Sequence, residues 1–330
     1  MIFISRTPMR VSLFGGGTDY PDYFKERRGA VLGLAIDKYI YIAALKLSGI
    51  QNYNFRLAYS QIEHVDYLDD IKHKAVRAAF DYHRITQSLD VSVMADMPAN
   101  SGLGSSSAFS VGLLNLIACL CNEKLTKLDL ALRAIHLERE LLQENVGVQD
   151  QLHAAFGGIN RFDFDAKGYR ITPMMIRGEC LDTLMQSLLL IHTGGSRHAS
   201  MVVASQLDRT RAGKIDKQLD DILDLVDVGS DILTNDKPQR MLEDLGRVMH
   251  ESWMLKRSLS QDVTTAGIDE LYEMCLKYGA LGGKLCGAGG GGFMLMLVPR
   301  HLQPVFIDAV APARVINIGL DTQGSTIIYQ

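Results

Sequence analysis

Cysteine is scarce in this sequence and carries no metal-site or disulfide pattern. The 330 residues contain five cysteines, an odd number, and none of them stands in paired C-x-x-C spacing. This usage argues against a disulfide framework and against a zinc site. We therefore expect reduced thiols and a cytoplasmic location.

Basic clusters and long apolar runs are also lacking. The formal net charge is -4, and no run of Lys and Arg stands out, so we expect no nucleic-acid partner. The longest apolar run, residues 113–121, is too short to span a bilayer. Arg6 and Arg10 interrupt what would be the apolar region of a signal peptide. These absences predict no membrane partner and leave a small molecule as the expected partner.

The overall composition is that of an ordinary globular protein. Hydrophobic residues make up 47% and charged residues 22% of the chain. The length predicts two domains, and the turn signals near Pro173 place the boundary between residues 1–175 and 176–330. No motif indicates the oligomeric state, and a homodimer is compatible with the sequence.

The stretch 98–120 combines a glycine- and serine-rich loop with a long apolar run. Alternating apolar residues at 89–97 predict a strand before it, and residues 106–121 predict a buried helix after it. Glycines let backbone N–H groups crowd an anion, and a helix start adds unpaired N–H groups. The stretch therefore predicts a phosphate-binding loop. A flexible Gly/Ser linker is the alternative, but a linker needs no buried helix directly behind it.

The remaining pattern predicts strands in the first part and long helices in the second. Residues 2–14 read as a strand that ends in the glycine turn 15–17, and residues 30–47 as further strands with Asp37 and Lys38 at a turn or edge. Thr126 begins a helix with a capping-box-like pattern. The expected later elements are a strand at 188–192, helices at 199–209, 213–233, 238–259 and 267–278, and a glycine loop at 282–292 ahead of an apolar strand.

Two common phosphate-loop motifs do not fit the central loop. It lacks the lysine of GxxxxGK[ST], and Ser107 stands where a dinucleotide fingerprint needs its third glycine. The pattern PxxxGLGSSSA at 98–108 instead resembles the nucleotide loop of the GHMP kinases, the family of galactokinase, homoserine kinase, mevalonate kinase and phosphomevalonate kinase. TPMRVSLFGGGTDY at 7–20 resembles the family's substrate motif, and GAGGGG at 287–292 its C-terminal glycine motif.

This resemblance implies a two-domain α+β fold that binds ATP and Mg²⁺. The N-terminal domain would be ribosomal protein S5 domain 2-like, and the C-terminal domain ferredoxin-like. The implied nucleotide-binding residues are Pro98, Ser101, Gly102, Leu103, Gly104, Ser105, Ser106 and Ser107.

The resemblance also implies a metal site made by a serine and a glutamate. Ser106 best matches the serine, with Ser105 and Ser107 as alternatives, and any of them could instead cap the helix. The glutamate stands twelve residues before the catalytic aspartate in galactokinase-like members, which favours Glu138 over Glu140. Both glutamates could instead belong to a solvated helix face. Mg²⁺ prefers few carboxylates plus phosphate oxygens, which this set would supply.

Asp150 matches the family's catalytic aspartate, and Arg10 the cation that pairs with it. A sugar hydroxyl becomes a better nucleophile when a carboxylate can accept its proton. A neighbouring guanidinium would keep that carboxylate ionised and could stabilise the transferred phosphoryl group. A buried ion pair without chemistry is the alternative, and the sequence leaves open whether Asp150 takes the proton or only orients the hydroxyl.

The motif GGGTDY implies a sugar site. Asp19 matches the sugar-binding aspartate of galactokinase, with Thr18 beside it, although an Asx turn is the plain alternative. Gly16 and Gly17 replace a Glu and a His that contact the sugar in galactokinase, which argues against galactose and leaves room for a larger sugar. Gly289 and Gly290 would close the site from the second domain.

A further element, TGxxR at 193–197, makes the chain resemble the branch that phosphorylates D-glycero-D-manno-heptose 7-phosphate at its anomeric hydroxyl. Arg197 could bind a sugar phosphate through two hydrogen bonds, or be a solvated loop residue. The resemblance therefore implies an ATP-dependent sugar 1-kinase.

Three alternatives remain to this interpretation. The first is a kinase for fucose, mannose, a galactose-like or an N-acyl sugar. The second is a non-catalytic sugar and nucleotide sensor, against which the presence of Arg10, Ser106, Glu138 and Asp150 argues. The third is an ATP-dependent decarboxylase of the mevalonate diphosphate type, against which the GGGTD element argues.

Overall fold

A computed structural model describes residues 1–194 and 199–330 of the chain. Its strands are β1 Ile2–Phe14, β2 Gly29–Lys46, β3 Phe55–Ala58, β4 Ile62–Val65, β5 Leu89–Ala95, β6 Ile159–Asp165, β7 Gly168–Pro173, β8 Leu188–His192, β9 Gly282–Leu285, β10 Phe293–Leu297, β11 Val315–Asn317 and β12 Thr326–Tyr329. Its helices are α1 Pro21–Phe24, α2 Lys74–Tyr82, α3 Ser105–Leu120, α4 Lys127–His136, α5 Gln149–Phe156, α6 Gly178–Ser187, α7 Ala199–Arg211, α8 Asp216–Asn235, α9 Pro238–Leu259, α10 Ala266–Lys277 and α11 Gln303–Val310.

The first sheet carries the N-terminal half of the chain. Its strands follow the order β12-β1-β2-β5-β3-β4, and β6 and β7 extend it from β2. Helix α3 packs on β1 and β2 and is covered by α4 and α5, so it is buried on nearly all sides. An all-round apolar sequence is what such a position requires. The buried helix predicted behind the glycine loop is therefore confirmed.

Strand β2 is one long element with a bulge. The sequence predicted separate strands here, with Asp37 and Lys38 at a turn or edge. The register shifts between the pairs Pro8–Tyr39 and Met9–Ile36, so Asp37 and Lys38 bulge out of the ladder while the strand continues. A β-bulge accommodates extra residues and bends the strand without ending it.

The second sheet follows the order β11-β8-β10-β9 and is antiparallel throughout. Numbered within the sheet by chain order, this is 4-1-3-2, the ferredoxin-like arrangement, so the predicted two-domain α+β fold is confirmed. Residues 282–285 were predicted as part of a glycine loop but form β9. Gly282 suits this strand because a Cβ there would lie 2.0 Å from the Gly246 carbonyl oxygen of α9.

The chain passes between the two sheets twice. It leaves the first sheet after β7 and enters the second at β8, and after β11 it returns as β12. That last strand pairs antiparallel with β1, with Ile4 opposite Tyr329. The boundary near residue 175 stays a prediction. No helix within residues 1–194 and 199–330 has the length and apolar character needed to cross a bilayer.

Candidate active site

A cavity of about 210 Å³ lies where the two sheets and their glycine loops meet. The first half of the chain contributes the end of β1, the glycine turn, the loop before α3 and the segment that leads into α5. The second half contributes α7, α9, β9 and the second glycine loop. Residues far apart in sequence therefore line one cleft that is partly open to solvent.

The loop before α3 presents part of its backbone to this cavity. Gly102 and Gly104 have φ angles of +78° and +73°, in the left-handed region that favours glycine. Both line the cavity, as do Ser105 and Ser106 at the start of the helix. The unpaired N–H groups of a 16-residue helix start there, which is an arrangement that suits phosphate.

The other residues predicted to bind the nucleotide occupy different positions. Pro98 is exposed outside the cavity lining, whereas Ser101 and Leu103 are buried behind the loop. The Leu103 carbonyl accepts a hydrogen bond of 3.0 Å from the backbone N–H of Arg10. These residues fix the loop against β1 rather than face the cavity.

Arg10 and Asp150 form a two-bond ion pair at the cavity wall. The Nε and Nη2 atoms of Arg10 each donate to one carboxylate oxygen of Asp150, both at 2.8 Å. Nη1 donates to the Gly102 carbonyl at 2.7 Å. Burial lowers the pKa of Arg10, but the charge and hydrogen bonds of Asp150 raise it above its ordinary value overall. The carboxylate is thus held beside the glycine loop by a permanently charged partner.

Asp19 is held by the glycine turn and by α5, the helix that also carries Asp150. It accepts hydrogen bonds from the Gly17 backbone N–H and from Gln149 Nε2, both at 3.0 Å, and is 1% exposed. Burial raises its pKa. Gly16, Gly17 and Asp19 line the cavity, but the Thr18 hydroxyl donates to the backbone carbonyl of Gly15 and is buried. Thr18 therefore stabilises the turn instead of facing a substrate.

Glu138 lies in a π-helical turn, Leu137–Leu141, directly after α4. Such turns interrupt a helix and are frequent at functional sites. Its Oε2 accepts a hydrogen bond of 2.9 Å from the Ser107 hydroxyl, while Oε1 has no partner among the described residues. Burial raises the pKa of Glu138 to about 7. Glu140 in the same turn is exposed.

The predicted pair of Ser106 and Glu138 is not joined directly. Ser106 is exposed and lines the cavity, whereas the neighbouring Ser107 is 4% exposed and bonds to Glu138. The helix turn explains this difference, because adjacent residues of an α-helix point about 100° apart. Ser106 thus faces the cavity and Ser107 faces the glutamate.

These groups fit a hard divalent cation. The free Oε1 of buried Glu138 needs a positively charged or hydrogen-bonding partner, and serine hydroxyls stand at the adjacent helix start. In the described ranges, no three His, Cys, Asp or Glu side chains cluster as a metal cage. Mg²⁺ needs only one or two carboxylates when phosphate oxygens complete its coordination.

The second glycine loop packs directly on the first. A Cβ at Gly287 would lie 2.7 Å from Gly102 Cα, and the backbone N–H of Phe293 donates to the Ser101 carbonyl at 3.2 Å. Gly289 and Gly290, which were predicted to contact substrate, pack against Val263 instead, because the Gly290 N–H donates to the Val263 carbonyl at 2.9 Å. In their place Gly287 and Ala288 line the cavity.

Two lysines that no sequence motif indicated also line the cavity. Lys256 on α9 is 8% exposed and Lys284 on β9 is 3% exposed. Burial lowers the pKa of Lys256 to about 7 and that of Lys284 to about 8. One sequence signal was present: Lys256 follows Met249 and Trp253 at helical spacing on the buried face of α9. Arg197 lies outside the described residues.

Family models match both halves of the chain. The model "GHMP kinases N terminal domain" matches residues 70–158, and the model "GHMP kinases C terminal" matches residues 238–314. The two matches contain the loop before α3, Glu138, Asp150 and both buried lysines.

Individual relatives cover most of the chain. A D-glycero-alpha-D-manno-heptose 7-phosphate kinase of Campylobacter jejuni is 28% identical over 310 residues, which cover 89% of this chain and 88% of the relative. A bifunctional fucokinase/GDP-fucose pyrophosphorylase of Arabidopsis thaliana is 26% identical over 319 residues, covering 88% of this chain and 29% of the relative. The crystal structure of a D-glycero-D-manno-heptose 1-phosphate kinase of Bacteroides thetaiotaomicron shares the fold, with a TM-score of 0.80, 21% identity and complete coverage of both chains.

Proposed function

Because this chain belongs to the GHMP kinase family, we propose that it transfers the γ-phosphoryl group of ATP to the anomeric hydroxyl of a sugar, D-glycero-D-manno-heptose 7-phosphate. The observation that carries the proposal is the position of the Arg10–Asp150 pair. The pair bonds to the glycine loop before α3, which suits the phosphates of ATP, and lines the same cavity as Asp19, which suits sugar hydroxyls.

The nucleotide is assigned to the loop that presents Gly102, Gly104, Ser105 and Ser106. Backbone N–H groups at the start of α3 would donate to its phosphates. Mg²⁺ would be held by Glu138 and a serine hydroxyl together with phosphate oxygens, and when bound it neutralises charge on the phosphates.

Asp150 is assigned to the acceptor hydroxyl. As the hydroxyl oxygen bonds to the γ-phosphorus and the bond to the β-phosphate oxygen breaks, the hydroxyl proton passes to the Asp150 carboxylate. Arg10 holds that carboxylate in place through two hydrogen bonds and adds positive charge near the transferred group. Asp19, fixed by Gly17 and Gln149, orients the sugar.

The choice of heptose 7-phosphate is supported by the Campylobacter relative and by the glycine turn. Among the described residues, a Cβ on Gly16 would have only the Gln149 side-chain nitrogen within 4 Å, at 3.9 Å, so this part of the chain leaves open space at the turn. Space there suits a sugar larger than a hexose. The fucokinase relative supports the second candidate, a kinase for another sugar.

The test is release of ADP with a panel of sugars and sugar phosphates in the presence of Mg²⁺. We expect the highest kcat/KM with D-glycero-D-manno-heptose 7-phosphate, and ³¹P and ¹³C NMR of the product should place the new phosphate on C1. A higher kcat/KM with an unphosphorylated hexose would favour the second candidate. No ADP release with any sugar, while ATP and sugar still bind, would favour a sensor.

Arg197 remains proposed as a ligand of the sugar phosphate. An Arg197→Ala protein should lose kcat/KM on a phosphorylated sugar and keep it on the same sugar without phosphate. Equal losses on both sugars would refute that role.

A further inference from the structure

The cavity holds more positive than negative side chains. Its charged lining consists of Arg10, Asp19, Asp150, Lys256 and Lys284, three cations and two carboxylates. Arg10 is neutralised by Asp150 through two hydrogen bonds. Each oxygen of Asp19 accepts one hydrogen bond, Oδ1 from Gly17 and Oδ2 from Gln149, and neither bonds to a lysine. The two ammonium groups therefore share the cavity without a carboxylate of their own.

Backbone carbonyls satisfy these ammonium groups only in part. Lys256 Nζ donates to the Leu285 carbonyl at 2.9 Å and to the Gly287 carbonyl, and Lys284 Nζ donates to the Leu13 carbonyl at 3.2 Å. An ammonium group has three N–H donors, so one donor of Lys256 and two of Lys284 have no partner among residues 1–194 and 199–330. Within the described ranges, no carboxylate forms an ion pair with either lysine.

Buried, unpaired charge is costly. Removing an ammonium group from water without a counter-ion costs several kcal/mol, and two such groups that repel each other cost more. Burial lowers the pKa of Lys256, and the charge of Lys284 lowers it further. A bound anion offsets this cost, so the arrangement is typical of an anion site rather than of a structural core.

The anchoring carbonyls indicate which end of the cavity the lysines occupy. Leu13 lies at the end of β1, immediately before the glycine turn that carries Gly16 and Gly17, so Lys284 is tied to the proposed sugar site. Lys256 bonds to the Gly287 carbonyl of the second glycine loop, which packs on Gly102 of the nucleotide loop, so it lies nearer to the nucleotide loop than Lys284 does. Burial lowers the pKa of both lysines, and the charge of Asp19 opposes this shift in part, which is consistent with their proximity to that residue.

We propose that Lys256 and Lys284 form a subsite for a phosphate group carried by the acceptor sugar. This inference rests on the proposed function and specifies its substrate class: the enzyme would favour an acceptor that is already phosphorylated away from the reacting hydroxyl. The three remaining N–H donors match the oxygens of a phosphate dianion. The terminal phosphates of ATP are the other source of the same chemistry, and the test separates the two.

The first experiment compares Lys256→Gln and Lys284→Gln on one sugar with and without its phosphate. We expect KM for the phosphorylated sugar to rise roughly 10- to 100-fold in each variant, because a hydrogen bond to a charged group is lost. KM for the unphosphorylated sugar and for ATP should not change. The control is Lys277→Gln, an exposed lysine on α10 of the same half, which should match the wild type. A rise in KM for ATP instead would assign the lysines to the nucleotide and overturn the proposal.

The second experiment does not depend on turnover. Calorimetry measures binding of inorganic phosphate to the protein saturated with Mg²⁺ and a non-hydrolysable ATP analogue, which fills the nucleotide subsites. We expect the wild type and Lys277→Gln to bind phosphate, and Lys284→Gln and Lys284→Met to lose roughly tenfold or more in affinity. Circular dichroism and thermal melting identify any variant that does not fold. Equal phosphate affinity in wild type and folded lysine variants, or no binding by the wild type, overturns the subsite.

The outcomes also distinguish this inference from the proposed function. Phosphate binding that depends on Lys284, in a protein that phosphorylates no sugar, would retain the subsite and reject the sugar kinase. Turnover of a sugar phosphate that does not depend on either lysine would retain the sugar kinase and reject the lysine subsite.

Discussion

The contact between the two glycine loops predicts that the substitution Gly102→Ala destabilises the protein. This residue has a φ of +78°, and a Cβ there would lie 2.7 Å from the carbonyl oxygen of Cys286, a backbone atom of the second half. Gly49 has nearly the same φ, +80°, but a Cβ there would have nothing within 4 Å. Gly102→Ala and Gly49→Ala therefore form a matched pair that differs only in the contact.

The surroundings of Gly49 and Gly102 set how much each substitution should lower the free energy of unfolding. A Cβ in the left-handed region costs about 1–2 kcal/mol, and Ala offsets about 0.4–1 kcal/mol of this by restricting the unfolded chain. Gly49→Ala should therefore lower the free energy of unfolding by about 1 kcal/mol or less. Gly102→Ala adds an overpacked contact worth about 1–3 kcal/mol, for a total of about 2–4 kcal/mol.

Urea unfolding of both proteins, monitored by circular dichroism and tryptophan fluorescence, measures the difference. Trp253 is fully buried on α9, so its fluorescence reports on the second half of the chain. Gly102→Ala should also reduce kcat, because the Gly102 carbonyl accepts a hydrogen bond from Arg10 and moves with the loop. Equal loss of stability in the two variants would show that the loops do not pack as described and would refute the reasoning.

Three further predictions concern the catalytic and metal groups. Asp150→Asn should lower kcat by roughly 10²- to 10⁴-fold while calorimetry with an ATP analogue shows unchanged affinity; retained turnover would remove Asp150 from the mechanism. Ser107→Ala should raise the Mg²⁺ concentration that gives half the maximal rate roughly 10- to 100-fold, because Glu138 would lose the hydrogen bond from Ser107 and keep that from Gln151, and Ser106→Ala should raise it more; the reverse order would make Ser107 the metal ligand. Glu138→Gln should leave the metal-free protein about as stable as wild type at pH 5 and up to about 3 kcal/mol more stable at pH 8, measured by urea unfolding. The variant gains stability relative to wild type at high pH because the folded-state pKa of Glu138, about 7, lies above the ordinary value of 4.5. Wild-type stability is therefore lost as pH rises from about 4.5 to 7. The same difference in free energy of unfolding between variant and wild type at both pH values would contradict this prediction.

Elements with a local signal could be predicted from the sequence. The alternation of residues 2–14 gave β1, and the capping box at Thr126, with its hydroxyl and the Asp129 side chain bonded reciprocally, starts α4 as expected. The apolar run behind the glycine loop marked α3 because a helix buried on all sides needs apolar residues on all faces.

Features set by distant partners could not be predicted in this way. Gly282 and Gly283 weaken a strand locally, and β9 forms because β10 pairs with it and α9 packs closely on it. Lys284 carries no spacing signal of its own, and its place in the cavity depends on a bond to Leu13 across the molecule. The choice between Ser106 and Ser107 as the partner of Glu138 depends on how α3 is rotated against the π-helical turn, which the sequence does not specify.

The return of β12 to the first sheet bears on how the two halves can move. A domain attached by one connection can rotate about that connection in any direction. With two connections, the line that joins them becomes the axis of rotation. The second half is attached after β7 and again before β12, and the returning segment is bonded to β2, where the Asp37 N–H donates to the Gly319 carbonyl and the Asp321 N–H to the Ala35 carbonyl. We therefore expect any opening of the cavity to be a hinge motion about the line through both connections, which would bring the two glycine loops back together in the same alignment.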